Sequence, residues 1–387
     1  MIDAHRRFLS DRNRVAAYRR ALDELVTPDS TVLDLGSGTG IMGLLACAAG
    51  AAEVYAVEAT GMVGLAREIC RANGYSERMH FIRGLSTDVE LPGPVDIIVT
   101  DQINEFCFGA GLLEYLSDAS ARCLAPDGVT VPGAVDLLVA PVESAELGQE
   151  IEFWTRPVEG FDLSAVVPIA ANQPRPFPVR REHLLGRPAA GATIDAAQSP
   201  EIEVEVRARV PVEKSGRLDG IAGFFAAHLA PGVVMTNDPT AADAIDRWGQ
   251  VFPVHPPIQV DDGEVVVMDI RVNPGDDLST WSASVEPAPV DGRRPGHARS
   301  ERSGRGSSFL GRLLSSEDLD RSRSDHRPVL TRRAATMKTV LGLCDGQHTI
   351  ADIEAEIARR HPAPFENQDA AARIVAELVA KYCGFEP

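Results

Sequence analysis

Basic residues are in short supply in this chain: 38 Lys and Arg stand against 56 Asp and Glu, a formal net charge of −18. A general nucleic-acid binder needs a basic face to displace counterions from phosphate, so no nucleic-acid partner is expected. An acidic balance favours solubility and, inside a cleft, concentrates cationic ligands. The cysteines also lack pattern. The six, at 47, 70, 107, 123, 344 and 383, include no CxxC pair and no Cys/His spacing of a zinc site, so neither a metal centre nor a disulfide framework is expected. Free thiols in a reducing cytoplasm are the simplest account. No apolar run reaches the roughly 20 residues that cross a bilayer. The N-terminal MIDAHRRFLSDRNR is too polar for a signal peptide, so no membrane partner is expected.

What is present is a strict alternation of strand and helix in the first third. Residues 1–28 read as a helix with Val15, Ala16, Leu22 and Leu25 on one stripe, ending at Pro28. Strands follow at 31–36, 53–58, 79–84 and 95–101, with helices at 41–50, 61–73 and 111–124 between and after them. Apolar strands separated by helices imply an α/β fold, a doubly wound parallel sheet covered on both faces. Beyond Pro132 the pattern changes to alternating segments such as IEVEVRARV (202–210) and EVVVMDIRV (264–272), which read as antiparallel strands. The expected organisation is a Rossmann-like domain over 1–132, a mostly β domain over 133–288, a flexible Arg/Ser-rich linker over 289–328, and small amphipathic helices over 329–387.

The first strand runs into Asp34-Leu35-Gly36-Ser37-Gly38-Thr39-Gly40 and then a helix. Glycines here allow a sharp turn and let a ligand lie against the backbone. The second strand ends in Glu58, a carboxylate placed to accept hydrogen bonds from two ribose hydroxyls. A dinucleotide would bring a pyrophosphate to this loop, where Asp34 would repel it. The ammonium of a methionine moiety suits Asp34, which favours S-adenosylmethionine as cofactor. The alternative is a purely structural glycine turn.

These residues resemble the protein arginine methyltransferase family, over roughly residues 5–285. VLDLGSGTGIMGLLACAAGAAEVYAVEAT is similar to its cofactor segment, and His5 to Arg14 to its helix that folds over the cofactor. The resemblance implies that Arg14 grips the methionine carboxylate, although the YFxxY run that precedes it in the family is missing. It implies a cofactor set of Arg14, Asp34, Gly36, Ser37, Gly38, Gly40, Glu58 and Thr87, a β-barrel, and a homodimer joined by an arm beginning near Gly160-Phe161-Asp162-Leu163-Ser164. The family's two clamping glutamates fall on Asp101 and Ala110, and its Thr-His-Trp triplet on Asp246-Arg247-Trp248. A guanidinium is planar and never deprotonated on its own, so losing one carboxylate at 110 weakens the clamp. One carboxylate suffices for a simple amine. Asp101 is therefore the expected catalytic residue, with Glu105 and Asp246 as helpers, and Trp248 reads as core.

The C-terminal LGLCDGQHTI (341–350) resembles the PqqD-type domain that holds leader peptides of ribosomally made natural products. That family's leading strands would have to lie in RPVLT (327–331). The combination implies N-methylation of an amine on a peptide, in the manner of daptide-type peptide methyltransferases. The alternatives are a true arginine methyltransferase and a non-catalytic protein that binds the cofactor.

Overall fold

The computed structural model of the chain describes residues 2–107, 111–198, 203–274, 278–288, 302–361 and 368–383. They fall into two compact units, Met1–Arg312 and Leu313–Pro387.

The first unit opens on α1 (Ile2–Ser10) and α2 (Arg12–Leu25). The single helix expected over 1–28 is broken at Asp11. Its extended backbone (φ −75°, ψ 94°) and its carboxylate, which accepts the Arg14 N–H at 3.1 Å, make it the N-cap of α2. The break has a consequence for the site. Tyr18, Ala21 and Leu22 bury α2 in the core, whereas α1 buries nothing there and is left to lie over the surface.

Five parallel strands follow: β1 (Thr31–Leu35), β2 (Glu53–Glu58), β3 (Met79–Arg83), β4 (Val95–Thr100) and β5 (Leu124–Val131). Their order, β3-β2-β1-β4-β5, places β1 and β4 centrally. Both are buried almost throughout, as strands covered on two faces must be. Helices α3 (Ile41–Ala49), α4 (Met62–Ala72) and α5 (Leu112–Cys123) supply the cover. The sequence reversal on either side of β1 opens a crevice at the carboxyl ends of β1 and β4, where doubly wound sheets bind ligands.

The β region comprises β6 (Ala134–Val142), α6 (Ala145–Glu152), α7 (Val167–Ala170), β7 (Arg175–Phe177), β8 (Ala189–Asp195), β9 (Val204–Pro211), β10 (Gly216–Ala230), β11 (Val233–Thr236), β12 (Gly249–Val260), β13 (Val265–Asn273) and β14 (Leu278–Glu286). It is built as two antiparallel sheets, one ordered β7-β12-β10-β6-β8 with β11 beside β10, the other containing β14-β13-β9. Trp281 on β14 donates its indole N–H to the Pro253 carbonyl on β12 at 2.6 Å, tying the sheets together. The stretch expected to be a flexible linker over 289–328 is partly structured: β15 (Ser303–Ser307) pairs with β14 as an edge strand. Its small residues, which read as linker, are what the pairing requires. A Cβ on Gly306 would lie 2.2 Å from the Trp281 ring, and one on Gly304 2.7 Å from Val254. Arg302 anchors the strand through the Gln259 carbonyl at 2.8 Å and an ion pair to Glu264.

The second unit holds α8 (Ser316–Arg321), α9 (Arg332–Leu343), α10 (Ile350–Arg360) and α11 (Gln368–Tyr382). Thr331 caps α9, and Thr349 with Asp352 forms a capping box on α10. Val340, Ile353, Ile357, Ala371, Val375 and Leu378 form its own core. RPVLT (327–331) is not a strand. It leads into the α9 cap with Val329 89% exposed, and among the described residues this unit contains no strand. No helix of the described chain is long and apolar enough to cross a membrane.

Candidate functional site

The loop from β1 to α3 turns on Gly36, Gly38 and Gly40, with φ of +74°, +52° and +81°. L side chains rarely adopt this left-handed region. The first two glycines also provide clearance. A Cβ at Gly36 would strike the Gln102 amide at 2.2 Å, and one at Gly38 the His5 ring at 2.8 Å. The Val57 carbonyl accepts the Gly36 and Ser37 N–H groups at 3.0 and 2.9 Å. Glu58 then accepts the Gly38 N–H at 3.0 Å with one oxygen and the Thr60 N–H at 2.8 Å with the other. Glu58 therefore sets the shape of the loop, and a carboxylate retains further acceptor sites for a ligand.

Over this loop lies a cavity of about 240 Å³. Of the residues expected to bind cofactor, Arg14, Asp34, Gly36, Ser37 and Gly38 line it, and Asp101 of the expected catalytic set joins them. Its lid is α1, through His5, Phe8 and Leu9, and its far wall is Gln102, Ile103 and Arg247. Ser37 Oγ and Gln102 Oε1 are buried and have no hydrogen-bond partner among the described residues. Buried polar atoms left without partners are costly, so a cavity that carries two of them is suited to a polar ligand.

Asp34 accepts the Gly43 N–H from α3 at 2.8 Å. Burial pushes its carboxyl up to about 7; the Gly43 bond opposes that rise and the nearby Glu58 carboxylate adds to it. Arg14 holds Asp101 in a fork: Nε donates to Oδ1 at 2.8 Å, and Nη2 pairs with Oδ2. Burial brings the Arg14 guanidinium down to about 10. Phe8 of the lid packs against two guanidinium groups, that of Arg14 at 4.6 Å and that of Arg247 at 5.3 Å from its ring centre. Burial also lowers Arg247, against the pull of the Glu105 carboxylate.

The loop carrying Asp101 is pinned to the β region. Phe106 packs edge-on against Phe252 with centroids 5.6 Å apart, and no side chain at Gly223 could coexist with it. Asn237 donates to the Glu105 carbonyl at 2.9 Å. Cys107, with φ +72°, sits in a conformation uncommon for a residue with a side chain. Ala110, where the second carboxylate of the clamp was expected to be missing, lies outside the described residues.

Several expected site residues are placed elsewhere. Thr87 is exposed and bonds Asp88 at 3.2 Å, away from the cavity lining. Gly40 serves as the N-cap of α3. Glu105 does not line the cavity and faces Arg247 electrostatically. Asp246 is exposed and caps no helix; its backbone N–H is held by Asp11 at 2.8 Å. Trp248, read as core, is 54% exposed, because its loop runs over the surface beside the lid. His5, Phe8, Gln102 and Arg247 were not singled out from sequence. Phe8 and Arg247 had a signal only in hindsight, as an aromatic on the lid and a cation in the triplet position.

Residues 134–281 match the family described as "Arginine methyltransferase oligomerization subdomain", and residues 19–132 match "Ribosomal protein L11 methyltransferase (PrmA)". Among curated relatives, Protein arginine N-methyltransferase PRMT10 of Oryza sativa subsp. japonica is 30% identical over 293 residues, covering 67% of this chain and 77% of that protein. Protein arginine N-methyltransferase 1.1 of Arabidopsis thaliana is 35% identical over 174 residues, but the match spans only 44% of each chain. The fold is similar to that of the Trypanosoma brucei PRMT1 enzyme-prozyme complex with AdoHcy (TM-score 0.69, 21% identity, covering 79% of this chain and 97% of that one). It is also similar to Arabidopsis thaliana protein arginine methyltransferase 10 (TM-score 0.66, 23% identity, 80% and 98%).

Proposed function

Because the chain belongs to the protein arginine N-methyltransferase family, we propose that it transfers a methyl group from S-adenosylmethionine to a nitrogen of a protein or peptide, in the first place an arginine side chain. The observation that carries this reading is the cavity over the glycine loop, whose unpartnered Ser37 Oγ and Gln102 Oε1 are suited to a polar ligand and whose wall includes Asp101. The residues present fit the cofactor: Glu58 and the glycine loop for its ribose, and Asp34 for its ammonium. Bound there, it supplies a methyl group on a positively charged sulfur.

The chain's own residues do the rest. α1 closes the cavity with Phe8, which excludes water from the reacting groups. Arg14 orients Asp101 through two parallel contacts, so the carboxylate meets the acceptor nitrogen in one fixed direction. Its charge is already compensated by Arg14. Asp101 therefore acts mainly by holding and orienting the acceptor, and Glu105, one step back, balances Arg247.

One sequence feature favours a second reading. Ala110 stands where the family places a second carboxylate, and an aliphatic amine needs only one. On this reading the acceptor is an amine of a ribosomally made peptide, and the second unit recruits its leader. We propose a homodimer on either reading. The arm segment exposes Phe153, Val158 and Phe161, the last at 72%, which is more apolar surface than such a short stretch usually leaves to water. The test is incubation of the full chain with methyl-labelled cofactor and paired peptides that differ only in having arginine or a free amine. Label on the arginine peptide supports the first reading, label on the amine peptide the second, and label on neither refutes both.

A further inference from the structure

The six cysteines fall into two groups. Cys47, Cys70, Cys107 and Cys123 are buried in the first unit, whereas Cys344 and Cys383, both in the second unit, are partly exposed. These two are distant in sequence and neighbours in space. Cys344 is the C-cap of α9; its N–H reaches the Leu341 carbonyl at 3.3 Å and its Sγ donates to the Val340 carbonyl at 3.3 Å. It packs against the unit's core, as Val379 of α11 does. Cys383 follows the last residue of α11, and its N–H still reaches the Val379 carbonyl at 3.0 Å. That bond carries the helical repeat through residue 383, so Cys383 continues the stripe of Val375 and Val379 that faces the core. The two thiols consequently lie within hydrogen-bonding reach of each other. Burial pushes the Cys344 thiol up to about 11, and the contact with Cys383 adds to the rise. A buried cysteine is closed to reagents, but this pair is open to a small molecule and already assembled.

We propose that Cys344 and Cys383 form a thiol modification site, which a low-molecular-weight disulfide such as oxidised glutathione closes into a bond between the ends of α9 and α11. The inference is independent of methyl transfer. The step is two exchanges. Cys383 Sγ attacks one sulfur of the reagent, forming a mixed disulfide; one molecule of reduced thiol leaves with the proton that Cys383 gives up. Cys344 Sγ then attacks the Cys383 sulfur, and the second molecule of reduced thiol leaves with the Cys344 proton. Cys383 takes the first step because Cys344 is held protonated, and Cys344 the second because its target is then already in contact. Excess thiol drives both exchanges backward, so the bond is reversible and follows the redox state of its surroundings. Closure matters to this unit because its core is small, with six buried apolar side chains among the described residues. A cross-link over a loop of roughly 40 residues restricts mainly the unfolded chain, and therefore stabilises the packing of α11 on α9.

The test incubates the full chain with oxidised glutathione, blocks the remaining thiols by alkylation, and maps the digest by mass spectrometry. The expected product is a peptide pair joined through Cys344 and Cys383, lighter by two hydrogens than the separate peptides and released by dithiothreitol. Cys344→Ser should trap glutathione on Cys383, and Cys383→Ser should take it up at Cys344 at least about tenfold more slowly. Amide hydrogen exchange along α11 should slow about tenfold or more when the unaltered chain is closed, and stay unchanged in either serine variant after the same treatment. Circular dichroism of the serine variants checks that each is folded. Glutathione retained on Cys344 and Cys383 without a joined pair, both thiols left free, or a pair joined to one of the other four cysteines would each overturn the proposal. A joined pair that leaves α11 exchange unchanged would overturn its stabilising role.

Discussion

Replacing Asp101 by Asn isolates the pair on which the proposed site is built. Arg14 is 4% exposed and the Asp101 side chain 20%, so the charge removed is a mostly buried one whose partner stays behind. Breaking one side of a buried pair costs about 3–5 kcal/mol. Asn retains an oxygen for the Arg14 Nε–H, and the partial exposure of Asp101 softens the loss, so about 3 kcal/mol is the reasonable figure. The unit that contains the pair spans Met1–Arg312. At about 2 cal/mol/K of unfolding entropy per residue, its unfolding entropy is about 0.6–0.7 kcal/mol/K, and the loss corresponds to a fall in Tm of about 4–5 °C. Scanning calorimetry of the full chain follows this unit as the larger transition. Arg14→Met alone should cost a similar amount by orphaning the carboxylate. The double variant, with neither charge left, should recover a part of it. Asp101→Asn within about 1 °C of the parent, or a double variant equal to the sum of the singles, would refute the claim that the two groups compensate each other.

Other outcomes follow from the same geometry. Gly38→Ala places a Cβ 2.8 Å from the His5 ring at a φ of +52°. It should weaken cofactor binding about tenfold, with partial recovery on adding His5→Ala; unchanged affinity in calorimetry would remove His5 from the lid's seat on the loop. Asp34 is raised to about 7 in the folded chain from an ordinary value of 3.8. The folded state therefore holds the proton between those values, and this group makes stability fall as pH rises through that window and level off above it. An ammonium prefers the ionised form, so cofactor binding at about pH 6 should release a proton, visible as a buffer-dependent heat that methylthioadenosine and Asp34→Asn both lack. Removing Leu313–Pro387 should leave cofactor affinity unchanged and raise the KM for a full-length peptide substrate; a matching loss of cofactor affinity would make that unit structural.

The glycine loop was legible because its constraint is local: three glycines between an apolar strand and a helix, with Glu58 ending the next strand, have few other uses. Four of the five parallel strands were legible for the same reason, since burial on both faces writes an apolar run; β5 was not, because Pro126-Asp127-Gly128 within it reads as a turn. The failures are tertiary. Asp11 breaks the first helix because it serves two distant segments at once, its own α2 and the backbone of Asp246, and no window of sequence contains both. β15 looks like linker because its glycines make room for distant side chains, Gly306 for Trp281 and Gly304 for Val254, both more than 20 positions earlier in the chain. Thr87 and Asp246 were placed by analogy of position and lie outside the cavity lining, whereas Arg247, next to Asp246, faces inward. In an irregular loop a shift of one residue reverses which side chain meets the site, and sequence spacing carries no period from which to read it.

Tandem mass spectrometry of a peptide after reaction with the unaltered chain and S-adenosylmethionine tests the central claim most directly. The account predicts a methyl group on a nitrogen, located to an arginine side chain, and its disappearance with Asp101→Asn. A peptide that remains unmodified while a known arginine methyltransferase modifies it in parallel, or a methyl group found on carbon, oxygen or sulfur, would contradict it.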